Sequence, residues 1–326
     1  MRAALLDILA CPSCHGVLRV DSADKDAAEI RSGELRCDAC ARSWPIVRGI
    51  PRFVDPSNYA ASFGLQWNTF KREQLDRYNS SDLSRQRLLK ETGWSPEWMK
   101  GRWILDAGCG AGRFLDVAAT TGAQVVGVDL SNAVDAAADS LQGAENVHLV
   151  QASIYELPFR PGAFDAVYCI GVIQHTPDPA RAVAALPAQL KKGGRLALTI
   201  YERRRFTKLY SKYLLRSVTR GLDERQLLRG VQWAMPFLFP VTEVLFRLPR
   251  LGRYFNFVIP VANYTDEKSL TWKQRYQWAL LDTYDMLAPR YDEPQTFEKV
   301  RDTLIAAGVE DVQRLANPGL NLVARR

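Results

Sequence analysis

The feature that most constrains the fold is a glycine-rich turn between two short apolar runs. The first run ends in Asp106, and Gly108, Gly110 and Gly112 follow at every second position. The second run ends in Asp129, which lies 17 residues after the last of these glycines. A strand, a glycine turn, a helix and a second strand with an acidic tip form a unit that binds adenosine-containing cofactors, because the acid accepts hydrogen bonds from ribose hydroxyls. The segment therefore predicts an α/β fold with a cofactor site at the turn.

The spacing of the glycines indicates which cofactor to expect. A dinucleotide site usually has the pattern G-x-G-x-x-G, whereas this chain has D-x-G-x-G-x-G. That pattern resembles motif I of the class I S-adenosylmethionine (SAM) methyltransferases. The resemblance implies a Rossmann-like, seven-stranded, doubly wound sheet with SAM as the cofactor. It places Asp106 and the three glycines near the methionine part of SAM, and Asp129 and Leu130 at the ribose.

The continuation QASIYELPF resembles the next motif of the same family, in which an acid meets the adenine amino group. This chain has Ser153 there, whose hydroxyl accepts a hydrogen bond without carrying charge. Ile154 and the adjacent backbone are expected to supply further adenine contacts, and Ile170 closes the fourth apolar run beside the site. The resemblance covers residues 60–202 and 290–326.

Two C-x-x-C pairs precede this region. Cys11 and Cys14 form the first pair, and Cys37 and Cys40 form the second after 22 intervening residues. The spacing suits one tetrahedral Zn²⁺ held by four thiolates, which leaves no open position and so predicts a structural metal. The stretch between the pairs is expected to form two short strands with a polar tip. The segment resembles the small zinc-ribbon family that accompanies several methyltransferases as an activating subunit.

Two disulfides or four unrelated thiols are the alternatives for these cysteines, and disulfides would require an oxidising compartment. The first ten residues contain Arg2 and Asp7 and no long apolar core, which is unlike a secretory signal. The sequence therefore favours zinc and a cytoplasmic location.

The positive charge of the chain is concentrated in one segment. The formal net charge is +7, and residues 202–253 contain 12 Lys or Arg against four Asp or Glu. This segment lies in a helical insertion that follows the predicted fifth strand. The predicted domains are a zinc ribbon, a SAM-binding core with its preceding helices, a basic and aromatic lid, and the final helix and strands of the core: 1–56, 57–202, 203–292 and 293–326.

The insertion is expected to begin with an amphipathic helix over residues 203–220. Its basic face contains Lys208, Lys212, Arg216 and Arg220 at intervals of four. A solvated helix face, contact with an anionic membrane surface or lipid-linked substrate, and nucleic-acid contact are three interpretations of this face. RNA has the least support, because no dense basic cluster on a flexible arm accompanies the helix. Membrane contact would place the protein at the inner face of the membrane.

The next stretch, residues 231–249, is strongly apolar but is interrupted by Pro236, Pro240 and Glu243. A membrane-spanning helix needs about 20 predominantly apolar residues. We therefore expect two short buried helices here, as parts of a helical lid over the acceptor side of the sheet.

Methyl transfer to a hydroxyl needs a base near neutral pH. His175 lies just after the fourth strand and is the first candidate, with packing against the cofactor as its alternative role. Tyr201 and Glu202, at the end of the fifth strand, are second candidates. The segment 63–70 is expected either to cap the SAM pocket or to dock the ribbon. Four residues of the returning insertion could close over the acceptor: Asp282, Tyr284, Asp285 and Tyr291.

These features support three functions. The first is a SAM-dependent methyltransferase acting, preferably on oxygen, on a small or carrier-linked acceptor such as a sugar, a lipid-linked intermediate or a secondary metabolite. The second is a guanine-N1 type RNA base methyltransferase whose zinc ribbon contacts RNA. The third, suggested by Ser153, is a non-catalytic SAM-binding partner protein. The sequence predicts neither the acceptor nor the oligomeric state.

Overall fold

The computed structural model describes residues 1–26, 29–55 and 58–326. The strands of this part of the chain are β1 (Leu18–Asp26), β2 (Glu29–Cys37), β3 (Ser43–Val47), β4 (Ile50–Pro51), β5 (Trp103–Ala107), β6 (Gln124–Asp129), β7 (Val147–Gln151), β8 (Phe164–Ile170), β9 (Leu190–Ile200), β10 (Glu310–Arg314) and β11 (Leu320–Arg325). The domain boundary predicted at residues 56 and 57 lies outside the described residues, and the predicted domain limits stay predictions.

The α-helices of the described residues are α1 (Ala3–Leu6), α2 (Ala61–Thr69), α3 (Asp76–Asn79), α4 (Leu83–Thr92), α5 (Pro96–Met99), α6 (Arg113–Thr120), α7 (Ala133–Ser140), α8 (Pro179–Ala185), α9 (Ser211–Thr219), α10 (Glu224–Leu245), α11 (Gly252–Val258), α12 (Trp272–Leu287) and α13 (Phe297–Ala306). Short 3₁₀ turns lie at Ile173–His175, Pro187–Gln189 and Thr207–Leu209.

The larger sheet has seven strands in the order β10-β11-β9-β8-β5-β6-β7. Strands β5 to β9 are parallel, and β11 is inserted antiparallel beside β9. Leu105 of the central strand β5 packs into the core on one face of the sheet, and its neighbour Ile104 packs into the core on the other. This confirms the predicted seven-stranded, doubly wound α/β fold. The strand order reverses between β5 and β8, and ligands bind at such a switch point in folds of this kind.

The smaller sheet has the order β1-β2-β3-β4 and forms the ribbon at the start of the chain. The antiparallel pairing of β1 with β2 confirms the two strands predicted between the cysteine pairs, and the turn that joins them, at residues 27 and 28, lies outside the described residues. The ribbon is attached to the larger sheet through the main chain. Arg52 pairs with Gln151 on the edge strand β7, and Leu9 pairs with Phe159. Leu9 and Phe159 also belong to one continuous apolar core, which the two sheets share.

The insertion between β9 and α13 leaves and rejoins the sheet at a single point. Glu202 and Gln295 form a parallel bridge. The Arg203 amide donates to the Gln295 carbonyl at 2.8 Å, and the Gln295 amide donates to the Tyr201 carbonyl at 2.9 Å. The whole helical lid is therefore anchored at the carboxyl end of the fifth strand of the sheet.

The predicted helix over residues 203–220 is shorter than expected, and two of its basic residues point in a different direction from the one predicted. It begins at Ser211, after a 3₁₀ turn over Thr207–Leu209. Lys212 points inward and forms a 2.8 Å ion pair with Asp292. Arg216 is also buried and donates to two main-chain carbonyls near the end of α12. Two of the four basic residues therefore fix the helix to the protein instead of facing solvent.

The prediction of two short buried helices over residues 231–249 is wrong. Helix α10 is a single helix of 22 residues that continues through Pro236 and Pro240. A proline inside a helix costs about 3 kcal/mol or more, and here the buried inward side chains of Met235 and Phe239 offset that cost by packing in the lid core. The opposite side of α10 is exposed, with Trp233 at 76% exposure. None of the described helices is both long and apolar enough to span a bilayer.

Candidate active site

A cavity of about 1060 Å³ lies between the carboxyl ends of the strands and the insertion. This volume is at the upper end of the range for small-molecule sites, so it suits a cofactor together with a second ligand. Of the predicted site residues, these line the cavity: Gly108, Gly110, Asp129, Leu130, Ile154, Ile170, His175, Tyr201 and Glu202.

The glycine turn forms the floor of the cavity. Gly108 has φ +96°, and a Cβ atom there would lie 2.4 Å from the side chain of Val172, in the loop after β8. Gly110 has φ +53°, and a Cβ atom there would lie 3.0 Å from the Trp67 ring. Both positions combine a left-handed backbone with close neighbours, so only glycine fits. Gly112 begins α6 and does not line the cavity.

Asp129 sits at the tip of β6, as predicted from the sequence pattern. Its Oδ2 accepts a hydrogen bond from the Gly110 amide at 3.0 Å, and its Oδ1 accepts from the amide and hydroxyl of Ser131. Burial raises the pKa of this carboxyl, and these hydrogen bonds partly offset the effect. Each carboxylate oxygen can accept a further hydrogen bond. The acid therefore joins the turn to β6 and retains capacity for ribose hydroxyls, so these residues fit SAM.

Besides Gly112, two more predicted cofactor residues do not line the cavity. Asp106 is buried behind the glycine turn next to Tyr168, and burial raises the pKa of its carboxyl well above the usual value. Ser153 lies beside the wall, where its hydroxyl accepts from the Tyr155 amide at 3.2 Å. The proposed roles of Asp106, Gly112 and Ser153 stay predictions.

Helix α2 covers the cofactor end of the cavity. Phe63 and Trp67 on this helix both line the cavity, and α2 packs against α7 and the insertion helices α10 and α12. Of the two interpretations of this segment, the geometry favours the cap over the pocket rather than docking of the ribbon.

His175 is held in one orientation by its surroundings. Its Nδ1 lies 3.0 Å from the Tyr291 carbonyl, which can only accept, so Nδ1 donates this hydrogen bond. The ring is packed between Phe63 and Tyr201 at centroid distances of 5.3 and 5.4 Å. Nε2 is buried and has no partner. Because this nitrogen is shielded even from the cavity, the geometry favours a packing role for His175.

Tyr201 and Glu202 are also poor bases. Burial, together with the nearby carboxylates of Asp285 and Asp292, raises the pKa of the Tyr201 hydroxyl well above its usual value, so it stays protonated. Glu202 accepts hydrogen bonds from Arg204 and Arg314. These bonds lower the pKa of Glu202 although burial acts in the opposite direction.

Asp282 has the properties that these three residues lack. It lies on the inward face of α12 and lines the cavity together with Asp285, which is three residues along the same helix face. Burial of its carboxyl in the cavity and the neighbouring Asp285 carboxylate raise the pKa of Asp282 to about 7. Gln74 donates a 3.3 Å hydrogen bond to its Oδ1, and Arg113 donates to the Gln74 side chain at 3.0 Å. A carboxyl with a pKa near neutrality can exchange protons at physiological pH.

The sequence analysis missed the positioning of Asp282 by Gln74 and Arg113. Gln74 lies 208 residues before Asp282, and no local pattern connects them. Of the other residues named on the returning insertion, Tyr284 is fully buried, with its hydroxyl directed at the Glu224 carbonyl. Tyr291 contributes its carbonyl to His175 rather than a side chain to the cavity.

The ribbon brings its four cysteines to one point. Their sulfur atoms all lie within 4.8 Å of one another, and none forms a disulfide. The Sγ atoms of Cys11 and Cys40 are 3.7 Å apart, and those of Cys14 and Cys37 are 3.4 Å apart. Zn–S bonds of about 2.3 Å in a tetrahedron place sulfurs about 3.8 Å apart. The four-cysteine cluster therefore fits a structural zinc ion.

Comparisons with known proteins agree with both parts of the structure. The family model described as "Methyltransferase domain" matches residues 105–198. The model described as "Trm112p-like protein" matches residues 2–49.

Individual relatives match parts of the chain. An uncharacterized protein of Synechococcus sp. is 38% identical over 116 residues, which are 34% of this chain and 28% of that protein. Ubiquinone biosynthesis O-methyltransferase of Alkalilimnicola ehrlichii is 31% identical over 190 residues, which are 55% of this chain and 74% of the relative. The chain spans 57% of the length of the Paraburkholderia phymatum protein of the same name. Among solved structures, a Haemonchus contortus phosphoethanolamine N-methyltransferase matches with TM-score 0.46 and 19% identity, over 83% of this chain and 48% of that one.

Proposed function

Since the chain belongs to the class I SAM-dependent methyltransferases, we propose that it methylates a hydroxyl oxygen of a lipophilic or lipid-linked small molecule. The observation that carries this proposal is one cavity that is lined both by the glycine turn and by the half-buried Asp282. When bound, SAM supplies an activated methyl group, and the protein has to hold the acceptor in line with it and remove a proton.

Asp282 is the proton acceptor in this proposal. SAM bound at the glycine turn would supply the methyl group and leave as its demethylated thioether, and the Asp282 carboxylate would take up the proton of the acceptor hydroxyl. The Gln74 hydrogen bond orients this carboxylate. His175 forms part of the wall between α2 and the returning insertion.

The acceptor end of the cavity has an apolar and aromatic wall beside charged residues such as Arg204, Lys212 and Asp285. The apolar wall is formed by Phe206, Tyr210, Tyr213, Phe257, Pro260 and Met286. Such a wall suits a ring or a hydrocarbon chain better than a polar sugar. The names of relatives that carry out O-methylation in ubiquinone biosynthesis support oxygen as the acceptor atom.

Isotope transfer tests the proposal directly. A cell extract is incubated with methyl-labelled SAM and wild-type protein, and the organic-solvent and RNA fractions are analysed by mass spectrometry. We expect a labelled O-methyl compound in the organic fraction, and no labelled product with Asp282→Asn. Label in guanine bases of the RNA fraction would instead establish the RNA methyltransferase hypothesis. Failure of the wild-type protein to bind SAM in calorimetry would exclude both activities.

A further inference from the structure

The outer side of helix α10 carries an apolar stripe that nothing in the described structure covers. Trp233, Phe237, Val241 and Val244 follow at intervals of three and four residues, and all four are exposed. The inward face of the same helix is also apolar and packs in the lid core. Residues 233–241 of α10 are all apolar, and a helical segment that is apolar on all sides belongs in a protein interior or at a membrane.

Helix α9, the helix before α10, also exposes apolar residues. Leu214 is 74% exposed and Val218 is 64% exposed, whereas the basic residues Lys212 and Arg216 of the same helix point inward. We call these two exposed residues, together with the four exposed residues of α10, the outer face. Large exposed apolar surfaces of this kind mark binding sites for proteins or membranes.

Positive charge borders the outer face. Arg229 and Arg225 continue the stripe of α10 toward its start, at intervals of four residues, and both are exposed. Lys208 and Arg220 flank α9 and are exposed as well. Among residues 1–26, 29–55 and 58–326, no carboxylate lies within ion-pair distance of these four side chains. This combination of an apolar face and unpaired basic residues complements an anionic lipid surface.

The cavity opens next to this surface. Phe206 and Tyr210 precede α9, and both line the cavity while remaining exposed on the outside. Tyr210 also stacks on Phe257 of α11, with a centroid distance of 4.2 Å. An apolar path therefore leads from the outer face to the acceptor end of the cavity.

We propose that the outer face docks on an anionic lipid bilayer, with α9 and α10 lying in the interface, and that a lipophilic acceptor enters the cavity from the bilayer. The docking follows from the surface itself, whereas the entry of the acceptor rests on the proposed function. Trp233 and Phe237 enter the acyl boundary, while Arg225 and Arg229 contact lipid phosphates.

Vesicle co-sedimentation tests the docking without cofactor or acceptor. The full-length protein is mixed with vesicles of phosphatidylcholine alone or with about 30 mol% phosphatidylglycerol. Wild-type protein is expected to bind the anionic vesicles more tightly. The double variant Trp233→Gln/Phe237→Gln is expected to bind both vesicle types at least tenfold more weakly, since each ring loses its burial in the acyl region.

A second double variant tests the charge. Arg225→Gln/Arg229→Gln is expected to bind anionic vesicles roughly 30-fold more weakly, because each basic residue near the surface contributes about 1 kcal/mol. This variant should bind phosphatidylcholine vesicles as tightly as the wild type does. The matched controls are Ile305→Gln on α13, an exposed apolar residue far from the insertion, and Arg301→Gln beside it. Both controls should bind like the wild type.

Three results would overturn the docking. The first is that the wild type binds neither vesicle type, and the second is that Trp233→Gln/Phe237→Gln binds vesicles as tightly as the wild type. The third is that the wild type forms a dimer and does not bind vesicles, whereas this double variant is a monomer. All four variants should bind SAM like the wild type in calorimetry, which verifies their folding. Methyl transfer without vesicle binding would overturn only the docking, whereas vesicle binding without methyl transfer to any extract component would overturn only the proposed function.

Discussion

The ribbon at residues 1–51 and the insertion between Glu202 and Gln295 are both added to the seven-stranded sheet, and they are attached in different ways. The ribbon joins the sheet through main-chain pairing at Arg52 and Leu9 and shares its apolar core. The insertion has a core of its own and an apolar outer side without cover. The ribbon is therefore built into the stability of the molecule, whereas the insertion keeps surface available for other molecules.

Loss of the metal should produce the largest difference in stability between the ribbon and the insertion. We expect Cys37→Ala to abolish zinc binding and unfold the ribbon, because zinc binding contributes about 10–16 kcal/mol to the folding of small zinc domains. Metal analysis and thermal unfolding measure the effect. Cys169→Ala, which alters a buried cysteine outside the cluster, is the control and should retain zinc. A Cys37→Ala protein with a wild-type unfolding temperature would contradict the structural role of the ribbon.

Removal of the proposed base should lower the rate of methyl transfer and leave the ribbon unchanged. Asp282→Asn is expected to lower kcat by roughly 10²–10⁴-fold, the usual contribution of general-base catalysis, while SAM affinity stays the same. Wild-type activity should rise with pH through about 7, since the carboxyl must lose its proton to act. Asp266→Asn, on an exposed acid of the same insertion, is the control. A fully active Asp282→Asn enzyme would rule out this base.

The Asp282 carboxylate, which the proposed reaction needs, lowers the stability of the folded protein. Its pKa of about 7 in the folded protein lies above the unfolded value of 3.8, so the folded state binds the proton more tightly. Its contribution to stability is therefore present below about pH 4 and is lost as the pH rises to about 7. Asp282→Asn should unfold at a higher temperature than the wild type at pH 8, with a smaller difference at pH 5.

A pair of identical substitutions compares the attachment of the two regions. Leu9→Ala in the ribbon, where the side chain is 1% exposed, is expected to lower the free energy of unfolding by about 2–5 kcal/mol. Leu214→Ala on the outer face is expected to change it by less than about 0.5 kcal/mol. Chemical denaturation measures both. A large loss of stability in Leu214→Ala would mean that the outer face is covered within the folded molecule.

The smallest expected effect concerns the positioning of Asp282. Gln74→Leu removes a hydrogen bond that favours the charged carboxylate, so the pKa of Asp282 should rise. The midpoint of the pH–rate profile should shift upward by roughly 0.4–1 unit, from a hydrogen-bond contribution of about 0.5–1.5 kcal/mol. A lower kcat with an unchanged midpoint would assign Gln74 a purely structural role.

Local patterns predicted the sheet and the cofactor end of the cavity. The strand, turn and acidic tip around Gly108 and Asp129 depend on neighbours close in sequence, and the four cysteines are arranged by two short knuckles. The insertion was harder to predict, because its key contacts are distant in sequence. Lys212 points inward toward Asp292, which lies 80 residues later.

Helix α10 was misinterpreted for a related reason. Pro236 and Pro240 predict breaks in the helix, but packing of the inward face holds the helix together. A stretch that is apolar on both sides also has no periodicity to indicate which side is buried. The exposed position of Trp233 could therefore be recognised only in three dimensions.

The bridge between Glu202 and Gln295 has a further consequence for the sheet. Because the chain enters and leaves the insertion at adjacent residues, a tight turn of a few residues could replace the insertion without altering the register of any strand. The insertion could therefore differ in length and sequence while the glycine turn and its strands keep their positions.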